Sequence, residues 1–340
     1  MTTTAPTASP VDFATYGDYT VPARRGAAAF ERPAYRFRGR ISADGSTGHR
    51  AEPGRYHLYV SWACPWAHRA AIVRSLLGLD EVVSLSVVDP IRDGRGWAFR
   101  EGPGHGPDPV NGFTLLREAY EATEPGYDGH VSTPVLWDRE TGRIVSNDFA
   151  DITLDLGSAF ATWADPAVQL YPEPLRDEID ALNQVVYDTV NNGVYRCGFA
   201  PNQAAYDEAV QALFATLDDL ETRLGGSRFL FGDAPTESDV RLWVTLARFD
   251  AVYHYHFKAN LRRLTDYPDL WAYARDLYRI PAFRETTHID HIRRHYYGTH
   301  PTVNPLRIVP AGPIVDWDAP VGRGRHPGRL GGRVAASRPA

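Results

Sequence analysis

Hydrophobic positions change their spacing along this chain, and the change divides it. The run Tyr56-His57-Leu58-Tyr59-Val60-Ser61 is short, apolar and β-prone, and it predicts a strand; Val82–Val88 predicts a second. Between them, Pro65–Leu77 is rich in helix formers and predicts a helix. Residues 92–129 are dense in Gly and Pro and read as an irregular insert. Pro134–Trp137 and Ile144–Ser146 flank Asp138-Arg139-Glu140-Thr141-Gly142 and predict a hairpin, after which Asp148 stands where a helix cap is needed. From Pro174 onward the helical period takes over. Leu175, Ile179, Leu182, Val186 and Val190 share one face over 175–190, and Ala209, Leu213, Leu217 and Leu220 repeat the pattern over 206–224. Thr236-Glu237-Ser238-Asp239 reads as a capped helix start, and further helices are expected over Ala259–Leu264, Pro268–Arg279 and Glu285–Tyr296.

These patterns predict four parts: an extended arm over 1–40, an α/β domain over 41–165, an all-helical domain over 166–317 and a disordered tail over 318–340. At 340 residues the chain exceeds one typical core, in keeping with two domains. A net charge of −6 gives no reason to invoke nucleic acid or an anionic membrane. No apolar stretch reaches bilayer-spanning length, and the first ten residues lack the pattern of a signal peptide. The arginines near both ends, Arg36 to Arg40 and Arg323 to Arg333, are expected to be solvated. Two cysteines, Cys64 and Cys197, are too few for a disulfide framework, and a reducing cytoplasm is the expected compartment. Of 36 basic residues only Lys258 is lysine, which with abundant Ala and Gly points to a GC-rich genome.

The candidate chemistry lies in Ser61-Trp62-Ala63-Cys64-Pro65-Trp66-Ala67-His68-Arg69. A lone cysteine is usually packing, but this one stands where a strand hands over to a helix. Pro65 suits the first helical position because it has no amide hydrogen to leave unbonded. Cys64 then faces unpaired backbone N–H groups and the positive end of the helix dipole, which favour a thiolate. The motif is Cys-Pro-Trp-Ala, so no second thiol stands three residues on and the resolving thiol must be a small molecule. Cys197, in the helical half, reads as buried and inert. His288, His291 and His295 recur at helical spacing, but no Cys or acidic partner completes a metal set, and no metal is expected.

Strand–helix–strand followed by hairpin–helix is the order of a thioredoxin-like domain. With a helical domain after it and a Cys-Pro start, the chain resembles the glutathione transferase superfamily. Tyr56 to Ser61 with Ala63 to Arg69 is similar to the Xi class, the glutathionyl-hydroquinone reductases. So are Asp108-Pro109-Val110-Asn111-Gly112, Thr133-Pro134-Val135-Leu136-Trp137-Asp138, Asn191-Asn192-Gly193-Val194-Tyr195, Arg248 to Tyr253, His256-Phe257-Lys258 and Arg294 to Pro301. The resemblance implies a thioredoxin-like N-terminal domain followed by an all-helical C-terminal domain, and a dimer. It implies Cys64 as nucleophile, Tyr195 as proton donor, and Tyr253 and Tyr296 as hydrogen-bond donors to the sulfur, where packing with a wet hydroxyl is the alternative for each. It also implies a thiol site formed by Trp97, by His130, Val131, Ser132, Thr133 and Pro134, and by Asp148 and Phe149. Thr133-Pro134 occupies the superfamily's cis-proline place; a trans proline opening a strand is the other reading.

Three positions depart from the family pattern. The family commonly has arginine at His130, valine at Thr133 and a Glu-Ser pair at Asp148-Phe149, where the ends of glutathione are held. Asp148 accepts from an amine or merely caps its helix; Phe149 offers no hydroxyl. With the GC-rich composition, the chain is similar to the branch from high-GC Gram-positive bacteria, which use mycothiol. The expected co-substrate is therefore a low-molecular-weight thiol, mycothiol rather than glutathione, with a quinone-derived partner and no tightly bound cofactor. An Omega-like deglutathionylase or dehydroascorbate reductase and a non-catalytic binding module stand as alternatives.

Overall fold

The computed structural model describes residues 5–20 and 32–323. Contacts group 5–20, 32–164 and 290–309 into one unit and 165–289 with 310–323 into another. The sequence boundaries differ from this grouping at 290–309, which were assigned to the helical domain and belong with the first unit.

In the first unit, β1 (Tyr56–Val60) runs parallel to β2 (Ser84–Val87) and antiparallel to β3 (Val135–Asp138), which pairs antiparallel with β4 (Arg143–Ser146). A parallel pair needs a crossover, and α1 (Pro65–Leu76) supplies it. Helices α2 (Arg117–Thr123) and α3 (Phe149–Ser158) follow, and α3 packs on α1. All five residues of β1 are buried, as in a strand covered on both faces. Tyr59, Val135, Trp137 and Ile144 join Phe99, Leu116, Ala119, Tyr120 and Tyr127 in one core cluster. This is the thioredoxin-like order.

The insert over 92–129 is more ordered than its composition suggests. The buried Asp108 carboxylate accepts from Val110, Asn111 and Phe113 backbone N–H groups and from the Tyr59 hydroxyl. Glu118 accepts from Thr114 and Leu115 and fixes the entry to α2, an element that the Gly and Pro content hid. The arm is not simply extended either. Asp12 caps a single helical turn, Phe13–Tyr16, by accepting from Ala14 and Thr15 at 3.0 Å. That turn lies so close to residue 94 that a Cβ there would stand 2.0 Å from the Tyr16 carbonyl oxygen, so only glycine fits. Arg95 holds the Pro10 carbonyl at 2.8 Å.

The helix Ile289–Thr299 is tied into this unit by two histidines. His291 Nε2 lies 2.7 Å from the Pro103 carbonyl and His295 Nδ1 2.8 Å from that of Pro90. Those bonds, to the insert and to Pro90 just before it, tie residues 290–309 to the first unit.

The second unit is helical, with its longest helix at Gln203–Gly226. The stretch expected as one helix over 175–190 is Arg176–Val185 followed by a π-helical turn, Val186–Asn191, and a second π turn spans Phe249–Tyr253. Ala259–Leu264 forms no helix. Lys258 adopts a left-handed φ of 58°, and Asp250 accepts from Leu264 N at 2.6 Å, starting a single 3-10 turn at Leu264–Asp266 instead. The helix expected from Glu285 begins at Ile289, after a short turn at Pro281–Arg284.

Of the terminal arginines expected to be solvated, Arg36 and Arg38 are exposed and Arg40 is partly so, but Arg323 is not. Arg323 is buried and donates to the Leu224 carbonyl at 2.9 Å and the Arg228 carbonyl at 3.2 Å, because the end of a helix leaves carbonyls without intrahelical donors. Arg40 donates to Asp155 at 2.9 Å, and Arg38 lies 3.2 Å from Asp148. Positions 1–4, 21–31 and 324–340, which include most of the expected tail and part of the arm, lie outside the described residues. Among the described residues no helix is long and apolar enough to cross a membrane.

Asp239 anchors the start of Glu237–Arg248. Its buried carboxylate accepts from Leu230 N (3.0 Å), Thr236 N (2.7 Å), Thr236 Oγ1 (2.9 Å) and the Tyr273 hydroxyl (2.8 Å). Asp239→Ala strands these donors in an apolar interior. A loss of about 3 kcal/mol or more is expected, read from the urea unfolding midpoint.

Candidate active site

Cys64 is the N-cap residue of α1, with Pro65 at the first helical position. It is half-buried, and its Sγ lies 3.3 Å from the Thr133 carbonyl oxygen, to which the thiol donates. The Thr133–Pro134 peptide is cis, the geometry expected from the superfamily pattern. The start of α1 leaves backbone N–H groups without intrahelical partners beside the sulfur. Thr133 Oγ1 is buried with no hydrogen-bond partner among the described residues, a polar atom that a ligand or water would satisfy.

Residues 130–133 precede β3 and have no ladder to satisfy their backbone. Three tyrosine hydroxyls do so instead. Tyr127 donates to the His130 carbonyl at 2.9 Å. Tyr120 accepts from Ser132 N at 3.1 Å and lies 2.8 Å from the Ser132 carbonyl. Tyr19, from the arm, accepts from Val131 N at 3.1 Å and shares a 2.9 Å hydrogen bond with His130 Nδ1. Burial, with Arg92 and Arg32 nearby, lowers the His130 imidazole to about 3, so it is neutral at ordinary pH. A neutral ring cannot pair with a carboxylate as arginine does.

Asp148 caps α3, accepting from Ala150 N at 3.0 Å, and burial raises its carboxyl above the usual range. Phe149 is buried beside it. Its ring packs against Trp66 (centroids 4.9 Å apart) and edge-on to Tyr35, under the Arg69 guanidinium at 4.5 Å. Trp97 is buried and stacks on His295 at 4.9 Å. The Arg92 guanidinium lies over both the Tyr19 ring (4.4 Å) and the Trp97 ring (4.8 Å), joining the arm to the tryptophan. Tyr296 is buried in the same unit as Cys64, edge-on to the His295 and His300 rings.

Tyr195 and Tyr253 belong to the second unit. There they come together with ring centroids 6.0 Å apart, and both pack on Phe257. Each follows or ends one of the two π-helical turns, a distortion frequent at functional sites. Cys197 is buried, and burial pushes its thiol up to about 12. His291 and His295 spend a ring nitrogen each on a carbonyl, and among the described residues no group of three or more His, Cys, Asp or Glu is placed to hold a metal.

Sequence reasoning missed Tyr19 and Arg92. Tyr19 sits in an arm without periodicity and Arg92 at the edge of the insert, so neither carried a local signal.

Two family models match: the glutathione S-transferase N-terminal domain over residues 63–159 and its C-terminal domain over 203–276. The glutathionyl-hydroquinone reductase YqjG of Escherichia coli is 46% identical over 301 residues, spanning 86% of this chain and 92% of that protein. Its glutathione-bound structure superposes with a TM-score of 0.82 at 47% identity, covering 85% of this chain and 96% of that one. The glutathionyl-hydroquinone reductase PcpF of Sphingobium chlorophenolicum is 48% identical over 284 residues, 84% of this chain and 90% of that protein. The glutathione S-transferase Xi of Phanerochaete chrysosporium superposes with a TM-score of 0.82 at 46% identity, covering 84% of this chain and 98% of that one.

The neutral His130 has a consequence for acid stability. Above pH 6.5 the ring is uncharged in the folded and unfolded chains alike. As pH falls toward 3 only the unfolded chain takes the proton, so folding stability drops. His130→Gln is expected to flatten the decline between pH 6.5 and 4, by up to about 1.4 kcal/mol per pH unit. Urea midpoints measured across that range check it.

Proposed function

The chain belongs to the Xi class of the glutathione transferase superfamily, and from that membership we propose that it is a thiol-dependent reductase of thiol–hydroquinone adducts. One observation carries this reading. A half-buried cysteine caps a helix start, unopposed by a second thiol, 3.3 Å from the carbonyl before a cis-proline. Relatives 46% and 48% identical to the chain over the aligned residues are named for reducing glutathionyl-hydroquinones.

The Cys64 thiolate attacks the thioether sulfur of the adduct. The sulfur–aryl carbon bond breaks, its electron pair stays on the aryl carbon, and that carbon takes a proton. Tyr195 is the proposed proton donor. The hydroquinone leaves, and Cys64 is held in a mixed disulfide with the small thiol. A second thiolate attacks the thiol-derived sulfur, releasing the symmetric disulfide and restoring Cys64. Two electrons from the two thiols are thus delivered to the aryl carbon. In this reading Tyr253 and Tyr296 donate hydrogen bonds to the sulfur and favour its anionic form. Trp97, residues 130–134, Asp148 and Phe149 form the thiol site, and the enzyme works as a homodimer in a reducing cytoplasm.

The thiol itself we assign to mycothiol. A neutral His130 offers no cation to a carboxylate, and Phe149 puts a ring where the family pattern has a hydroxyl. A ligand carboxylate or amine left unpaired there costs about 1–3 kcal/mol.

Purified protein is expected to reduce the mycothiol adduct of a benzohydroquinone at least tenfold more efficiently than the glutathione adduct, in kcat/KM. Equal efficiencies would overturn the mycothiol assignment and leave the reductase standing. Cys64→Ser is expected to abolish turnover of both. Tyr195→Phe should slow hydroquinone release by about 10²-fold or more, the scale of general acid catalysis, while reduction of a simple mixed disulfide continues. Turnover by Cys64→Ser would sink the reductase reading.

A further inference from the structure

The run His130-Val131-Ser132-Thr133 ends on the carbonyl that meets the Cys64 sulfur, yet it is not part of the sheet. Buried backbone groups outside a ladder need side-chain partners. Tyr120, on α2, and Tyr127, just beyond it, belong to the core cluster and are fixed by its packing. Tyr19 is different, because it comes from the arm, more than a hundred residues away in sequence. Its hydroxyl is the partner given to Val131 N and His130 Nδ1, so Nε2 is the imidazole nitrogen that Tyr19 does not engage. Its ring lies against Gly96, where a Cβ would stand 3.2 Å from it, and under the Arg92 guanidinium that also covers Trp97.

We propose that Tyr19 is a positioning residue for thiol binding, whose hydroxyl sets the place of Val131 and of the His130 imidazole and so tunes affinity for the co-substrate. The arm is thereby part of the binding apparatus: undocking it loosens residues 130–133 without touching the nucleophile. The proposal rests on the reductase reading for its substrate, but its structural half does not.

Tyr19→Phe removes the hydroxyl and keeps the ring over Gly96 and beneath Arg92. Three measurements test it on the full chain. Hydrogen–deuterium exchange without ligand is expected to quicken about tenfold across 130–133 while the exchange of α1 stays as in the wild type. Steady-state kinetics with a benzohydroquinone adduct and its matching free thiol, mycothiol or glutathione, should show KM for the thiol raised about 3- to 10-fold, the scale of one or two lost hydrogen bonds. The kcat should change less than twofold, and the rate of Cys64 alkylation by iodoacetamide should be unaltered. Unchanged exchange at 130–133 overturns the proposal, and so does quickened exchange with an unmoved KM. A fall in kcat with KM constant would move Tyr19 to the chemical step and equally overturn it. If the wild type turns over neither adduct, the reductase reading fails and the affinity claim with it, while the exchange comparison still reports whether Tyr19 pins the run.

Discussion

Backbone that leaves a sheet must find partners for its N–H and C=O groups, and everything around Cys64 follows from how residues 130–133 do so. A ladder would have satisfied them and buried them. Tyrosine hydroxyls satisfy them from one side, so that the Thr133 carbonyl meets the sulfur and the Thr133 hydroxyl stays without a partner among the described residues. The nucleophile is thus placed by two elements at once: the helix whose start it caps, and the loop whose carbonyl it meets.

Aromatic rings and arginines pack together in two places in the first unit. The Arg69 guanidinium lies over the Trp66 and Phe149 rings, and that of Arg92 over the Tyr19 and Trp97 rings. Contacts of this kind tolerate burial of a delocalised cation better than they would a lysine ammonium. They also explain how a chain with a single lysine builds a charged interior near its site. Burial, with arginines for neighbours, keeps the imidazole of His130 in its neutral form.

The fold was legible where one physical signal dominated. Strands β1 to β4 and the helices around 65–76 and 203–226 follow from apolar period and β-prone runs, and Asp148 and Thr236 were readable as caps because capping depends on neighbours two or three residues away. Elements that depend on distant partners were not legible. The region after Lys258 turns because Asp250 reaches Leu264, and Arg323 is buried because a helix end elsewhere needs donors. At the site, Cys64 announced itself locally, and Thr133-Pro134 came from the resemblance. Tyr19 did neither, since its role exists only once the arm has crossed to the sheet. The roles of Trp97 and Phe149 came from resemblance, and the stacking on His295 and Trp66 is tertiary.

The two π-helical turns in the second unit bear on how this protein can change. A π turn is an α-helix carrying one surplus residue, here ahead of Tyr195 and ending on Tyr253. Shortening either segment by one amino acid would restore regular i to i−4 bonding and strengthen the helix. Because the π turn already absorbs the surplus residue, side chains beyond it would keep their places, and the disturbance would fall on the turn itself. In such a lineage a more regular helix and a disturbed Tyr195–Tyr253–Phe257 cluster would arrive in the same step.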